Sequence, residues 1–409
     1  MKSIIMLGGG IQQVPAVARL KNIGYRVIVT DTNPEAPAFA DADVTVNIGA
    51  HDVKSLISWI LLNKSQLNIA GIFTLTNYAV SVALVANATG LATLPPEIAV
   101  TCDNKLLMKR KFKEFGFLTP EYYEVSSLEE TIEAFQTLGG TCYLKVVDGF
   151  GGKGVSKITE EQDIHRVYDA LKNESLYPEM ILEKEIVGYF IDTQGVFHEG
   201  TFYPAGDADS FFSNSLAQYK HFNPVETFNI CPSQQAPENI EKAYNMLRDI
   251  AIALKMDFGP VGGDFVLDEQ GLHVIEVGPR LHGPNGTLQI FPKAMQIKPL
   301  EFMAQVLCGD TPNTEFVHIS RESVALCHVF VSNKPQIEDV GFSAPPLEQP
   351  GVFTSYIYKK AGKTLKQSAM KLSGLASVFV SGDNIEQAQS RLATVKSLFY
   401  VTKSKRGKG

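Results

Sequence analysis

At the start of the chain, short apolar runs that are typical of buried strands alternate with segments whose hydrophobic residues recur at the spacing of a helix. An apolar run at residues 3–7 is followed by glycines, a helix-like pattern over 15–23 and a second apolar run that ends at Asp31. This order of strand, helix and strand predicts parallel pairing. The pattern repeats to about residue 95, so residues 1–100 are predicted to form a small parallel α/β domain.

Beyond residue 100 the pattern becomes mixed. A helix is predicted over 104–115, and residues 121–186 follow a β-α-β-β-α-β order. Two apolar strands, "GGDFVLD" and "GLHVIEVG", are separated by a short turn at Gly271, which is a hairpin signal. The last part alternates short strands with glycine and proline breaks and ends in an amphipathic helix. The predicted organisation is an N-terminal domain at 1–100, a central domain at 101–310 with a lid subdomain at about 118–186, and a C-terminal module at 311–409.

The glycine triplet at residues 8–10 stands where a dinucleotide-binding turn would lie. That fingerprint needs a further glycine at position 13, which is Gln13 in this chain. The sequence therefore favours a tight strand-to-helix turn over a dinucleotide site.

A second glycine-rich stretch, "DGFGGKGV" at residues 148–155, follows the apolar strand "CYLKVV". It is not a Walker A loop, because Gly154 rather than Ser or Thr follows Lys153. Two interpretations stay open: a hairpin turn, or a mobile lid whose amides and lysine surround phosphate oxygens. Lys145 within the strand either has a charged partner or lies at the sheet rim with its amine in water.

Two carboxylates lie on the strands that flank Gly271. Pairing about this turn would bring Asp264 and Glu276 onto one sheet face. Two close carboxylates repel each other unless a cation lies between them. Magnesium suits such a pair, since it takes few carboxylates and completes its shell with phosphate oxygens and water. The alternative is a pair of strand-end carboxylates that accept hydrogen bonds from loops.

The stretch "EVGPRLHGPNG" continues from Glu276 into a predicted loop that carries Arg280 and His282. An arginine beside a metal–triphosphate site can stabilise charge on a transferring phosphoryl group. His282 can orient substrate or act as an acid or base, or it can be structural. Upstream, "ILEKEIVG" can present alternating backbone donors and acceptors to an adenine edge.

Bulk composition narrows the class of protein. The chain has 409 residues, 44% of them hydrophobic, and a formal net charge of -7, which argues against a protein dominated by nucleic-acid binding. Five scattered cysteines without metal-ligand spacing indicate reduced thiols in a cytoplasmic protein. Neither a signal peptide nor a membrane span is expected.

Taken in chain order, these features resemble the ATP-grasp superfamily. They are an N-terminal α/β domain, the helix "DNKLLMKRKFKEFGFLTP", a strand lysine, a glycine loop, the "EKEIVG" hinge and two carboxylate strands. The N-terminal segment and "EVGPRLHGPNG" look like the purine-biosynthetic branch, whereas "GVFTSYIY" and "VSGDNIEQAQSRLA" look more like amino-acid ligases and biotin-carboxylase-like modules. The resemblance implies an α/β and α+β protein: a parallel α/β domain, an ATP-grasp fold with nucleotide between two α+β subdomains, and a C-terminal α+β module.

The resemblance also implies an ATP site. The residues that it assigns to ATP lie on the helix start, the lysine strand, the glycine loop and the hinge: Lys105, Lys145, Gly149, Phe150, Gly151, Gly152, Lys153, Gly154, Glu183, Lys184, Ile186 and Asp192. Asp192 stands in for a glutamate that commonly binds the ribose in this family.

Metal-binding and catalytic roles follow from the same resemblance. Asp264 and Glu276 would hold magnesium, or manganese, and Arg280, Lys145 and His282 would be catalytic. Many ATP-grasp enzymes have Asn two residues after the metal glutamate. Gly278 occupies that position here, which favours the E-x-x-P-R type of the purine branch.

The activity implied is an ATP-dependent carboxylate–amine ligase that forms an amide through an acyl phosphate. Two alternatives remain: a carboxyaminoimidazole ribonucleotide synthase-like enzyme that uses bicarbonate, and a non-catalytic ATP-binding scaffold. The expected partners are small-molecule acids and amines, without nucleic acid or membrane, and a homodimer is a further expectation of the superfamily.

Overall fold

The structure of the chain is a computed structural model, and it describes residues 1–213, 223–332, 337, 339–358 and 372–402. The basic run at 403–409 lies outside the described residues. In the described part of the chain, no helix combines the length and the apolarity needed to cross a membrane.

Strands and helices of the first half follow the predicted order, apart from a helix at Pro96–Asp103 that the sequence pattern did not predict. They are β1 (Ser3–Leu7), α1 (Val14–Asn22), β2 (Arg26–Thr30), β3 (Val44–Val46), α2 (Val53–Leu67), β4 (Ile69–Thr74), α3 (Ala79–Thr89), α4 (Pro96–Asp103), α5 (Lys105–Glu114), β5 (Tyr122–Val125), α6 (Leu128–Leu138), β6 (Cys142–Val146), β7 (Val155–Ile158), α7 (Glu161–Lys172) and β8 (Met180–Lys184).

The second half contains longer strands. They and their helices are β9 (Tyr189–His198), β10 (Thr201–Phe212), β11 (Glu226–Cys231), α8 (Pro237–Ala253), β12 (Gly259–Asp268), β13 (Gly271–Gly278), α9 (Phe291–Met295), α10 (Pro299–Leu307), β14 (Val324–Ser332), β15 (Asp339–Phe342), β16 (Val352–Ile357), β17 (Ser373–Gly382), α11 (Ile385–Leu398) and β18 (Phe399–Thr402). A short π-helical turn, Asn285–Ile290, precedes α9.

The chain forms two compact units. Unit 1 comprises Met1–Thr119, Ile191–Ala208 and Gln235–Ser320, and unit 2 comprises Pro120–Phe190, Asp209–Gln234 and Arg321–Gly409. Each unit therefore collects segments that are far apart in the sequence, and β10 contributes residues to both.

Unit 1 contains the predicted parallel sheet, in the order β3-β2-β1-β4. One face of this sheet packs against α2 and α3, and the other packs against α1 and α10. A second part of the unit pairs β12 with β13 in antiparallel register and covers them with α8. Two buried faces explain why β1 is buried at every position and apolar from Ile4 to Leu7, as is typical of a parallel strand.

Unit 2 contains an antiparallel sheet in the order β5-β8-β6-β7. Helices α6 and α7 cover one face of it, where the alternate residues Cys142, Leu144 and Val146 are buried. A second sheet runs from the end of β10 through β11, β14, β17 and β16, and α11 packs on it. The helix predicted near the C-terminus is confirmed as α11.

His328 on β14 makes the stability of this second core depend on pH. Its ring centroid lies 4.7 Å from that of Phe330 and 6.3 Å from that of Phe228. Burial, followed by the charge of Lys396, lowers the pKa of His328 to about 4. The unfolded chain protonates this ring near an ordinary pKa of about 6.5, so the native state binds fewer protons between these two values.

The free energy of unfolding is therefore expected to fall as the pH drops from about 6.5 towards 4, by about 2 to 3 kcal/mol from this group. Replacing His328 with Phe should make that part of the profile less steep, measured by urea unfolding at several pH values, while His282, whose pKa is also lowered to about 4, keeps its own share of the slope. His165 is exposed on α7, so His165→Phe serves as the control and should keep the wild-type slope. An unchanged slope in His328→Phe would contradict the assignment.

Candidate functional site

Lys145 lies on the face of the β5-β8-β6-β7 sheet that is opposite the covering helices. Strand β6 alternates buried and half-buried residues, which places Tyr143 and Lys145 on the same side. The Lys145 ammonium forms an ion pair with Glu183 on β8, and both side chains are largely buried. Of the two sequence interpretations, the partnered lysine is therefore the one that the geometry supports.

A second lysine shares this face. Lys157 on β7 pairs in register with Tyr143. The Lys157 Nζ lies 2.7 Å from Glu185 Oε1, and the Tyr143 hydroxyl donates to the same oxygen at 3.0 Å. Two lysines thus lie beside two glutamates on one sheet face. Each lysine ammonium can bind a phosphate oxygen in place of its glutamate carboxylate.

The glycine loop connects β6 to β7 as a hairpin. The Val146 amide donates to the Gly154 carbonyl at 2.8 Å, and the Lys153 amide donates to the Phe150 carbonyl at 2.9 Å. Gly152 has φ +75°, and a Cβ atom there would collide with the Pro224 carbonyl oxygen. Phe150 and Lys153 are exposed at the tip. Gly149, Gly151 and Gly154 complete the loop, whose role as a lid stays a prediction.

In the hinge at the end of β8, at residues 184–186, two backbone amides have acceptors and the next one has none among the backbone carbonyls of the described residues. The amide of Lys184 donates to Glu121 O and that of Glu185 donates to Thr141 O, both at 2.9 Å. Within the described chain, the Ile186 amide donates to no backbone carbonyl. That amide is therefore available to an external acceptor such as an adenine ring nitrogen. Asp192, the expected ribose contact, lies half-buried on β9 in unit 1.

Asp264 and Glu276 face each other across the β12–β13 hairpin. They are direct partners in the antiparallel register, and a bulge follows Asp264. Their side chains are 38% and 36% exposed, so both carboxylates reach solvent. The turn at Gly271 therefore produces the juxtaposition that the sequence predicted.

Lys105 provides a cation next to this pair. It is the first residue of α5, whose N-terminus is capped by Asn104, which accepts from the Leu106 and Leu107 amides. The Lys105 Nζ lies 3.2 Å from Glu276 Oε2. The ammonium offsets part of the repulsion between the two carboxylates, in the same way that a bound divalent cation would.

The donor set fits magnesium. Two half-exposed carboxylates lie opposite each other, and magnesium binds through one or two carboxylates with water and phosphate oxygens as the other ligands. Over the residues that the structure describes, no three His, Cys, Asp or Glu side chains converge as a closed metal cage. A site with two protein ligands and open positions is what a nucleotide-bound magnesium needs.

His282 is held against the β9 backbone. Its Nε2 donates to the Thr193 carbonyl at 2.9 Å, and its Nδ1 lies 3.8 Å from Asp264 Oδ1. Burial, and then the positive charge of Arg280, lowers the pKa of His282 to about 4. The ring is therefore neutral at pH 7, and its single N–H is already used. This geometry suits a residue that orients the loop.

Gln194 connects β9 to the same loop and was missed by the sequence reasoning. Its side chain is fully buried, and its Nε2 donates to the Ala205 carbonyl at 2.8 Å. Its Oε1 accepts from the His282 amide at 2.8 Å and from the Thr287 hydroxyl at 3.1 Å. A polar residue within an apolar strand was the available signal, since a buried amide needs partners.

Replacing Gln194 with Leu is expected to lower the free energy of unfolding by about 2 to 4 kcal/mol, because the His282 amide loses its acceptor and the Ala205 carbonyl loses its donor. The rate of ADP release is expected to fall as well, because Arg280 and His282 lie on the loop that Gln194 holds. Urea unfolding and ADP release measure the two effects. Gln270 is exposed in the β12–β13 turn, and Gln270→Leu should leave both unchanged.

Arg280 follows the β13 strand and is half-buried. Its Nη1 donates to the Leu281 carbonyl at 3.1 Å. Among the described residues, no carboxylate lies within ion-pair distance of this guanidinium. The arginine is thus positioned by the loop and is free to bind an anion.

Comparison with known proteins gives three similarities. Residues 110–289 match the family model described as the ATP-grasp domain. Formate-dependent phosphoribosylglycinamide formyltransferase from Chlorobaculum tepidum is 23% identical over 359 residues, which cover 86% of this chain and 86% of that protein. L-amino acid ligase from Bacillus licheniformis superposes with a TM-score of 0.80 at 17% identity, over 99% of each chain.

A further solved structure has the same fold. N5-carboxyaminoimidazole ribonucleotide synthetase from Thermotoga maritima superposes with a TM-score of 0.71 at 17% identity, over 99% of this chain and 100% of that chain. At these identities the superpositions concern the fold alone.

Proposed function

We propose that this chain, an ATP-dependent ligase that forms carbon–nitrogen bonds, joins a small carboxylic acid to an amine through an acyl phosphate. Residues 110–289 match the ATP-grasp domain model. The observation that carries the proposal is the register of the β12–β13 hairpin, which pairs Asp264 with Glu276. ATP-grasp enzymes use ATP with magnesium, and this pair has the chemistry to bind that ion.

The reaction has two steps. In the first, a carboxylate oxygen attacks the γ-phosphorus of ATP, the bond from that phosphorus to the β–γ bridging oxygen breaks, and ADP leaves with the bonding electrons. In the second, the amine nitrogen attacks the acyl carbon, the carbon–oxygen bond to phosphate breaks, and phosphate and one proton leave. Both steps concentrate negative charge on phosphoryl oxygens, so fixed cations are the groups that accelerate them.

Each candidate residue has a role in this scheme. Lys105 and Lys145 would neutralise phosphate oxygens, and the amides of the glycine loop would surround them. Glu183, Lys184 and Ile186 would form the adenine edge, and Asp192 would bind the ribose. Magnesium held by Asp264 and Glu276 would supply positive charge beside the phosphates. Arg280 would bind the carboxylate and then the acyl phosphate, and His282 would orient the Arg280 loop.

An ADP-release screen tests the proposal. Purified protein with ATP and magnesium is offered a matrix of amino acids and other small acids with amines, and product is identified by mass spectrometry. We expect ADP release that depends on both an acid and an amine. Absence of ADP release with every pair would overturn the ligase proposal and favour the non-catalytic ATP-binding alternative.

The purine branch provides a second candidate function. The relative from Chlorobaculum tepidum is named for formate and phosphoribosylglycinamide, and formate with that amine is also an acid–amine pair. Aminoimidazole ribonucleotide with bicarbonate represents the other purine reaction. Separate wells with these two pairs distinguish a phosphoribosyl enzyme from one that acts on free acids and amines.

ATP binding should also be visible at the glycine loop. Lys153 is exposed at the tip of the hairpin, so trypsin should cleave there in the free protein. We expect a non-hydrolysable ATP analogue with magnesium to protect this bond, because a closed loop excludes solvent from the phosphates. Equal cleavage with and without the analogue would count against the lid, and AMP serves as the control ligand.

A cytoplasmic homodimer is the setting that we propose for the enzyme. All five cysteines are buried free thiols, which suits a reducing compartment. Light scattering behind a sizing column measures the oligomeric state directly, and a mass near the 44.8 kDa of one chain would contradict the dimer.

A further inference from the structure

An apolar pocket lies in unit 1 at the carboxyl end of β4. It is lined by residues of β4, α3 and the 92–94 connection, together with residues 258–260 at the start of β12 and residues 279–280 just after β13. Its apolar lining includes Phe73, Val82, Leu94, Phe258, Pro260 and Leu307. Ligands of open α/β sheets bind outside the carboxyl ends of the parallel strands, so this pocket has the position of a substrate site.

Arg280 supplies the charge of this pocket. It is the single ionisable residue among those that line it, and the remaining polar side chains are Thr74 and Thr93. The guanidinium is half-buried and has no carboxylate partner in the described chain. Such a pocket suits a ligand with one negative charge, which pairs with the guanidinium, and an apolar part, which fills the rest of the pocket.

The glycine turn beside β4 disfavours a phosphate. Asp31 accepts a hydrogen bond from the Gly9 amide at 2.8 Å through Oδ2, and from the Asn33 amide at 2.8 Å through Oδ1. The backbone amide that would face a phosphate in a dinucleotide turn is thus already bonded to a fixed carboxylate. A phosphorylated ligand at this turn would meet the negative charge of Asp31 beside the Gly9 amide.

From these observations, and resting on the proposed ligase function, we propose that the acid substrate is an unphosphorylated carboxylic acid with an apolar side chain of a few carbons. Its carboxylate faces Arg280, and its side chain enters the pocket between β4 and the 92–94 connection. Thr74 and Thr93 also line the pocket, and a threonine hydroxyl can accept a hydrogen bond from one polar substituent of the acid, such as an amino group.

Ala92 offers a way to test the pocket without disturbing the core. It lines the pocket and is exposed, so a larger side chain there narrows the pocket with little cost to folding. Ala88 is also exposed, lies at the end of α3 and is not part of the pocket. Ala92→Phe and Ala88→Phe therefore form a matched pair.

The experiment measures acid-dependent ADP release with hydroxylamine as the amine, so that the natural amine need not be known. The acids are L-leucine, 4-methylpentanoate and formate. We expect turnover with at least one of the two apolar acids. Ala92→Phe should raise the KM of that acid about tenfold or more, leave the KM of formate unchanged where formate reacts, and keep the wild-type melting temperature. Ala88→Phe should match the wild type for every acid.

The possible failures are distinguishable. If an apolar acid reacts but Ala92→Phe does not change its KM, the pocket assignment is wrong and the ligase function stands. If the well with formate and phosphoribosylglycinamide is the one productive pair of the ADP-release screen, the substrate class is wrong, although the chain is still a carboxylate–amine ligase. If neither apolar acid promotes ADP release with hydroxylamine but another pair in the ADP-release screen does, this inference is wrong and the ligase function stands. If no pair in that screen releases ADP, the proposed function fails and this inference fails with it.

Discussion

Replacing Glu276 with Gln is expected to reduce ADP release by about a thousandfold, because a lost metal ligand removes several kcal/mol of charge stabilisation. Glu276 lies opposite Asp264 in the hairpin register and 3.2 Å from the Lys105 ammonium. The substitution keeps the shape of the side chain and removes its charge. ADP release at saturating ATP, with magnesium varied, measures the effect, and excess magnesium should restore little activity.

Glu269 provides the matched control on the same hairpin. It is exposed in the turn between β12 and β13, and Glu269→Gln removes the same charge at a distance from the carboxylate pair. We expect this variant to keep wild-type turnover. Near-normal ADP release by Glu276→Gln, with a normal melting temperature, would show that Glu276 is a strand-end carboxylate and not a metal ligand.

Replacing Arg280 with Lys is expected to reduce ADP release by about a hundredfold or more, and Arg280→Ala by more than Lys. A lysine keeps the charge but lacks the planar fork that binds a carboxylate or acyl phosphate through two hydrogen bonds. The half-buried guanidinium has no carboxylate partner among the described residues, so its loss breaks no ion pair. The fold should therefore remain intact, as measured by circular dichroism and thermal unfolding.

A surface arginine serves as the control, because it shows whether an Arg→Lys change lowers ADP release at any position or only at position 280. Arg248 on α8 is 41% exposed and pairs with the adjacent Asp249, and Arg248→Lys should be indistinguishable from the wild type. The role assigned to Arg280 is wrong if Arg280→Ala still turns over at the wild-type rate. A rise in the KM of the acid without a fall in kcat would assign the arginine to ground-state binding alone.

The local elements were predictable because they depend on neighbouring residues. The periodicity of the N-terminal segment predicted parallel strands, and β1 pairs with β2 and β4 in parallel register. Likewise, the turn at Gly271 predicted that Asp264 would face Glu276, and the register agrees. Antiparallel pairing across a short turn follows from the side-chain alternation of each strand, so a sequence pattern is sufficient.

The partners of the charged residues were not predictable in the same way. Lys145 needed a counter-charge, yet nothing near it in the sequence identifies Glu183, which lies 38 residues away on β8. Lys157 and Tyr143 share a face with Lys145 because β6 and β7 pair in one particular register. Cross-strand neighbours are determined by sheet order, and the order β5-β8-β6-β7 is not the order of the chain.

Sequence patterns were enough to identify the candidate groups: lysines within apolar strands, glycines in a hairpin loop, and two carboxylates on the same face of one hairpin. How these groups are held came from the three-dimensional fold. It buried Gln194 beneath the Arg280 loop, bonded Asp31 to the Gly9 amide, and placed Arg280 at an apolar pocket with residues from β4 and α3. The physical reason is that strand alternation is local, whereas burial and charge compensation depend on contacts between segments distant in the chain.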